Sequence, residues 1–322
     1  MIRIGTRDSQ LAVWQATQVK NLLENFGISA RLEPIKSEGD LDLQTPLYAM
    51  GVQGVFTRAL DIALLNNHID IAVHSMKDVP VALPEGITEA AVLERASYRD
   101  ILVLNENWQA PGISMEAIKK VIEGSALPGA EALRPDLIIA TSSVRRKAQW
   151  LHRFPGHTIE NIRGNVNTRL RKLAESNWLG AIFAAAGLER IGLKPANSID
   201  LTWMLPAPAQ GAIMVTARKG DERTLRACNR INHVQTAFCV KAERDFLSEL
   251  MGGCATPISA LATLSKDQLH FTGSVVSPDG IEKVAVEEVY SLNDTKAPGK
   301  QAAAAILDKG AKAIITKMNN EK

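Results

Sequence analysis

Over the first 200 residues, short apolar runs of strand length alternate with segments of helical period, which restricts the chain to a layered α/β architecture. IRIG (2–5) is followed by Asp8 and Ser9, which offer N-cap chemistry. Leu11, Trp14, Val19, Leu22, Leu23 and Phe26 then share one helical face that Gly27 closes. A strand over 30–36, a polar loop, a helix over about 56–66 and the strand IDIAVHS (69–75) complete a first series. A second begins at ILVL (101–104) and runs through LIIA (137–140), a helix in TSSVRRKAQWLHR, the strand TIENIR and a helix in NVNTRLRKLAES to AIFAAAG, a short strand or turn. Between its first two strands lies a polar, helix-biased segment over 105–136. The order predicts largely parallel sheets with ligand sites at the C-terminal ends of strands. PAPAQGA (206–212) is a candidate crossing between domains. Beyond it the pattern changes to two helices (221–231 and 235–250), a glycine loop, three strands and a final helix from about 297. No repeat of solenoid period is present.

Charge is unevenly spread. The 37 Lys and Arg nearly cancel the 35 Asp and Glu, for a net charge of +2. Yet residues 141–172 hold eight basic side chains, Arg145, Arg146, Lys147, Arg153, Arg163, Arg169, Arg171 and Lys172, against Glu160 alone, so the window carries +7 and the remainder −5. Arg145 and Arg146 follow a strand and Thr141-Ser142-Ser143, which puts them in the first turn of a helix, where the macrodipole disfavours a cation by about 0.3–1 kcal/mol. An anion bound there reverses the penalty. IRGNVNTRL repeats the arrangement with Arg163 and Arg169. The competing readings are a solvated basic helix face and a nucleic-acid surface, but the stretch lacks the interleaved aromatics of single-strand binders.

Three other features bear on chemistry. HSMKDVP (74–80) ends a strand with His74, Ser75, Lys77 and Asp78, while GTRDS places Arg7 and Ser9 at the end of the first strand. Taken alone, Asp78 also fits a turn carboxylate, and His74 fits a ring hydrogen-bonded beneath the sheet end. Cys228 and Cys239 lie within helical patterns and read as small buried hydrophobes. Cys254, in GGCATP, lies in a loop able to present its sulfur to a cleft. Three cysteines so spaced support neither a disulfide framework nor a zinc cluster and fit a reducing compartment. No apolar stretch reaches the ~20 residues of a membrane span, and MIRIGTRDSQ has no signal-peptide core. A cytoplasmic protein is expected. GVQGVF (51–56) lacks the spacing and ending of a phosphate loop.

IGTRDSQLAVWQA, DIAVHSMKDVP, TSSVRRKAQ, IRGNVNTRL, LPAPAQGA and GGCATPIS together, in that order, closely resemble the porphobilinogen deaminase family along nearly the whole chain. The resemblance implies two α/β domains of class II periplasmic-binding-protein type flanking a cleft, plus a smaller C-terminal α+β domain. Residues 1–95 with 210–230 would form the first, 96–209 the second and 231–322 the third. It implies hydroxymethylbilane synthase activity by a monomer: four porphobilinogen molecules join stepwise, each losing ammonia, onto a dipyrromethane cofactor thioether-linked to Cys254, and hydrolysis releases the linear tetrapyrrole. By motif match Asp78 is the catalytic carboxylate. Lys77, Ser143, Arg145 and Arg146 would hold cofactor carboxylates, and Arg7, Ser9, Gln15, Arg163 and Arg169 the incoming substrate. Phe56 would lie near the cofactor rings, and Gln210 and Gly211 would form a hinge. No metal and no nucleic-acid or membrane partner is implied.

The chain departs from the family in places. Ala49 and Gln53 stand where lysines are common, Ala59 where a glutamate is, and Pro208-Ala209 where Val-Gly is usual. The segment 105–136 is longer than usual. The rival reading is a non-catalytic two-domain binding protein for a small carboxylate, which has no use for a glycine-flanked Cys254.

Overall fold

The computed structural model describes residues 1–36, 57–108, 115–124, 137–250, 256–293 and 295–320. The chain begins with β1 (Ile2–Thr6), α1 (Gln10–Asn25), β2 (Ala30–Pro34), α2 (Arg58–Leu65), β3 (Ile71–Ser75) and β4 (Ile87–Val92). It continues with β5 (Asp100–Leu104), α3 (Met115–Glu123), β6 (Ile138–Ala140), α4 (Val144–Arg153), β7 (Thr158–Glu160), α5 (Val166–Ala174), β8 (Gly180–Ala184), α6 (Ala185–Glu189) and β9 (Ser198–Asp200). Last come β10 (Ile213–Arg218), α7 (Glu222–Asn229), α8 (Val234–Glu249), β11 (Ile258–Ser265), β12 (Gln268–Val276), β13 (Lys283–Ser291), α9 (Pro298–Ile306) and α10 (Lys312–Asn320).

Local chemistry accounts for the helix starts. The Ser9 hydroxyl accepts from Ala12 N at the head of α1, Ser143 caps α4 through Arg146 N, and Asn165 caps α5 through Thr168 N. Gly27, at φ +72°, ends α1 as expected. The strands form two five-stranded sheets, β2-β1-β3-β10-β4 and β7-β6-β8-β5-β9, and a three-stranded antiparallel one, β11-β12-β13. The five-stranded sheets share one plan. Three parallel strands are followed by one that runs antiparallel to both its neighbours, β10 in the first and β5 in the second. The sheets are therefore mixed, whereas alternation alone predicts largely parallel ones. Neither β4 nor β10 stands out in the sequence, because β10 joins its sheet only after the chain has built the second. AIFAAAG resolves into β8 and the start of α6.

Every residue of β5 is buried. Its alternation sends Leu102 and Leu104 into one core layer with Trp150 and Phe154, and Ile101 and Val103 into another with Phe183 and Leu188. The third sheet packs on α8 and α9 around Phe246 and Phe271, whose rings lie 5.2 Å apart. It also docks on the second unit. Gln149 of α4 donates to the Ser259 hydroxyl at 3.0 Å, and His152 Nδ1 to the Gly280 carbonyl at 2.8 Å.

The chain passes between the two large sheets twice, through residues 93–99 and 205–212, and the two crossings pair. Leu93 N donates to Ile213 O at 3.0 Å and Ala96 N to Gly211 O at 3.1 Å. Gly211, at φ +88°, is required there, because a Cβ would fall 2.7 Å from the carbonyl oxygens of both Ala96 and Ser97. Glu243 of α8 locks the crossings. Fully buried, it accepts from Arg95 Nη1 (2.6 Å) and Nη2 (3.1 Å), from Ala209 N (2.6 Å) and from Ala262 N (2.8 Å). Glu243→Ala takes the carboxylate from the largely buried Arg95 guanidinium, which keeps the Gln210 carbonyl at 2.8 Å as an acceptor, and the acceptor from two backbone N–H groups. It should cost about 3–5 kcal/mol, read as a lowered denaturant midpoint in urea unfolding.

Candidate functional site

The parallel strands of both sheets deliver their C-terminal ends, and the helix starts after them, to one cleft. From the first sheet come Arg7 and Ser9 after β1, and Lys77 and Asp78 in a single 3₁₀ turn (Met76–Asp78) after β3. From the second come Ser143, Arg145 and Arg146 after β6, and Arg163 and Arg169 around the start of α5.

Arg145 and Arg146 are each only 5% exposed, which excludes a solvated basic face. The anion that this helix start calls for is partly supplied from within, by Asp100 at the head of β5. Arg146 donates to Asp100 Oδ1 through Nε (3.0 Å) and Nη2 (2.8 Å), and Arg145 Nη2 lies 2.7 Å from Oδ2. The Leu205 carbonyl accepts from Arg145 at 2.7 Å and the Ile182 carbonyl from Arg146 at 3.0 Å, leaving N–H groups on both forks for a further acceptor. Gln210 closes the knot from the crossing: its Nε2 donates to Asp100 Oδ1 (2.9 Å) and to Tyr98 O (2.8 Å), while its Oε1 accepts from Lys77 Nζ at 3.4 Å. Burial pushes the Asp100 carboxyl up, but Arg145, Arg146, Lys77 and the Gln210 bond outweigh it and hold it at about 2. One carboxylate thus faces two guanidiniums and an ammonium, and the surplus is positive.

Asp78 is exposed, and it lies near enough to Lys77 and to Arg169 to act on both charges. Across from it, burial lowers Arg169 to about 10, with Arg146 and Arg163 adding to the effect and Asp78 opposing it. The two walls therefore lie within electrostatic reach. Arg169 Nε donates to Gly164 O at 2.8 Å, and Arg163 is buried. Gln15 is buried under the first wall, with its amide bonded to the Ser75 hydroxyl at 2.9 and 3.3 Å. His74 takes the structural role open to it. It meets Thr216 Oγ1 at 3.3 Å, and burial, with Arg7 nearby, lowers it to about 4, so it is neutral at physiological pH. At the rim Asn167 donates to Gln10 Oε1 at 3.0 Å, and Arg190 lies over Trp14 while donating to Gly211 O at 2.7 Å.

Cys254, Phe56, Ala49 and Gln53 fall outside the described residues, as does most of 105–136; the rest of that segment includes α3. Leu250 and Thr256, on either side of residues 251–255 in the sequence, are buried. Ala59 lies in the first turn of α2. Cys228 and Cys239 are buried, and burial raises their thiols to about 12 and 11. Asp100, Arg95, Glu243 and Arg244 were not singled out in the sequence. No local spacing marks them, because their partners lie tens of residues or more away. Among the described residues no group of His, Cys, Asp and Glu could hold a metal, and no helix is long and apolar enough to cross a membrane.

The donor set suits a ligand bearing several carboxylates, and known proteins point the same way. Residues 2–226 match the family model described as "Porphobilinogen deaminase, dipyromethane cofactor binding domain", and residues 237–308 match "Porphobilinogen deaminase, C-terminal domain". The chain is 39% identical over 318 residues to the porphobilinogen deaminase of Syntrophomonas wolfei, covering 98% of this chain and 97% of that one. It is likewise 39% identical over 318 residues to that of Moorella thermoacetica, covering 98% and 95%. Among solved structures, an ancestral cationic amino acid solute binding protein is similar at 14% identity and a TM-score of 0.41, over 71% of this chain and 86% of that one.

Burial lowers Lys77 from 10.5 to about 8; Arg146 and Arg145 act in the same direction, and Asp78 and Asp100 against it. Between pH 8 and 10.5 the unfolded chain therefore binds more proton at Lys77 than the folded one, and the unfavourable contribution of Lys77 fades as pH rises through that window. In urea unfolding, Lys77→Gln should gain stability over wild type at pH 7, and the gain should shrink from pH 8 upward. A pH-independent difference would contradict this charge state.

Proposed function

The chain belongs to the porphobilinogen deaminase family, and from that premise we infer that it is a hydroxymethylbilane synthase, a transferase of tetrapyrrole (haem) biosynthesis. Four porphobilinogen molecules condense head to tail onto a dipyrromethane primer, each with loss of ammonia, and hydrolysis releases hydroxymethylbilane. The observation that carries the reading is the surplus of buried positive charge around Asp100, facing an exposed carboxylate, Asp78, across one cleft. Each pyrrole ring brings an acetate and a propionate, and guanidiniums bind such groups in bidentate fashion.

Lys77, Ser143, Arg145 and Arg146 hold the carboxylates of the dipyrromethane. When bound, by a thioether to Cys254 between α8 and β11 in the sequence, that group would supply the terminal pyrrole to which each new unit is joined. Arg7, Ser9, Gln15, Arg163 and Arg169 take the carboxylates of the incoming porphobilinogen. Gln15 acts from beneath, through the Ser75 hydroxyl that it orients. Asp78 accepts pyrrole N–H groups and stabilises the cationic azafulvene left when ammonia departs. This places a fixed negative charge where positive charge develops. By the motif match Phe56 would lie near the rings, and Gln210 and Gly211 form the hinge at the paired crossings. The division into 1–95 with 210–230, 96–209 and 231–322 follows the three sheets. The enzyme acts as a cytoplasmic monomer on a small molecule, and the basic stretch needs no nucleic acid to account for its charge.

Intact-protein mass spectrometry of chain purified from cells that make porphobilinogen should find the dipyrromethane adduct, mapped to Cys254 and absent from Cys254→Ala. An unmodified thiol would leave the binding-protein reading in its place. Asp78→Ala should fold and load the cofactor yet lose about 10²-fold or more in kcat, on the scale of removing one preorganised electrostatic partner. Turnover at the wild-type rate would remove Asp78 from its role.

A further inference from the structure

Backbone hydrogen bonds tie the 3₁₀ turn that presents Asp78 at its two ends. Val79 N donates to Met76 O at 3.1 Å and Met76 N to Ala212 O at 3.1 Å, while Pro80 has no N–H to give. β3 has ended at Ser75 and β4 does not begin until Ile87, so the carbonyls of residues 79–81 have no strand to accept from. They turn instead to Arg244 of α8. Its Nη1 donates to Val79 O at 2.9 Å and Met76 O at 3.4 Å, and its Nη2 to Pro80 O at 2.7 Å and Val81 O at 3.4 Å. A planar fork of five N–H donors suits such a ring of carbonyls better than a single ammonium does. Met76 and Val79 pack inward in one cluster with Val240, one helical turn before Arg244, so the same face of α8 supports the turn by apolar contact. Lys77 reaches Gln210 Oε1 at 3.4 Å, and Asp78 stays exposed within electrostatic reach of Arg169. Glu243, next to Arg244, holds both crossings, and about six residues further on, some 9 Å along the helix axis, α8 ends at Glu249, five positions before Cys254.

We propose that Arg244 is a positioning residue for the reaction. From the C-terminal domain it fixes the turn bearing Asp78, so that the catalytic carboxylate is set by α8, the helix whose last residue, Glu249, precedes Cys254 by five positions. The proposal rests on the synthase reading given above. Displacing a reacting group by about 1 Å can cost 10²-fold in rate, so loosening this turn acts on turnover more than on binding.

The test is a double-mutant cycle on cofactor-loaded enzyme, with loading checked by intact mass. Arg244→Met should lower kcat about 10- to 100-fold with KM within about threefold, and Arg244→Lys should recover part of the loss. In an Asp78→Ala background, followed by single-turnover mass spectrometry, removing Arg244 should cost nothing further, because it acts through Asp78. Should Arg244→Met fail to fold or load, Arg244→Lys in the same cycle decides. An unchanged kcat in the loaded Arg244 variant, or additive losses in the cycle, overturns the proposal while leaving the synthase reading intact. An inactive, unmodified wild-type chain overturns that reading instead.

Discussion

Asp100 is wholly buried and meets two guanidiniums and the amide of Gln210, so its carboxylate anchors the start of α4, the head of β5 and the second crossing at one point. Without it, two adjacent buried arginines at the positive end of a helix would be untenable. With it they persist, and because one negative charge cannot cancel three positive groups, the cleft keeps a standing demand for anions. The knot thus acts twice, holding the second wall in shape and leaving that wall under-compensated by an amount that a polycarboxylate can satisfy.

The C-terminal unit ties the other two together. Glu243 gathers both crossings, Arg244 gathers the turn bearing Asp78, and Gln149 and His152 tie the flank of α4 to β11 and to the turn after β12. Each large unit is held by a different part of the small one. Relative motion of the two walls must therefore be accommodated around α8, with Gly211 the point in the crossings where no side chain fits.

The strand ends and helix starts were legible in the sequence, because caps such as Ser9, Ser143 and Asn165 and continuous apolar runs such as ILVL and IDIAV are local signals. The basic window likewise marked the second wall. What stayed hidden depends on long-range contact. β4 and β10 pair across more than a hundred residues, Asp100 finds Arg146 46 positions away, and Arg244 finds Pro80 164 positions away. Burial of Arg145 and Arg146 could not be read from composition either, since an Arg-Arg pair looks the same in a sequence whether water or a carboxylate surrounds it.

Because β10 lies between β3 and β4, and β4 pairs with β10 alone among the described residues, the first sheet cannot be completed by the first 95 residues. The second sheet needs only the continuous stretch from Asp100 to Asp200. A chain leaving the ribosome N-terminus first therefore has everything required to close its second sheet before its first. β4 waits without a neighbour until residues 213–218 emerge. The order of synthesis and the order in which the sheets can be completed are opposite, so the strands of the sheet that carries Arg145 and Arg146 are all available before the sheet that carries Asp78 can receive its last one.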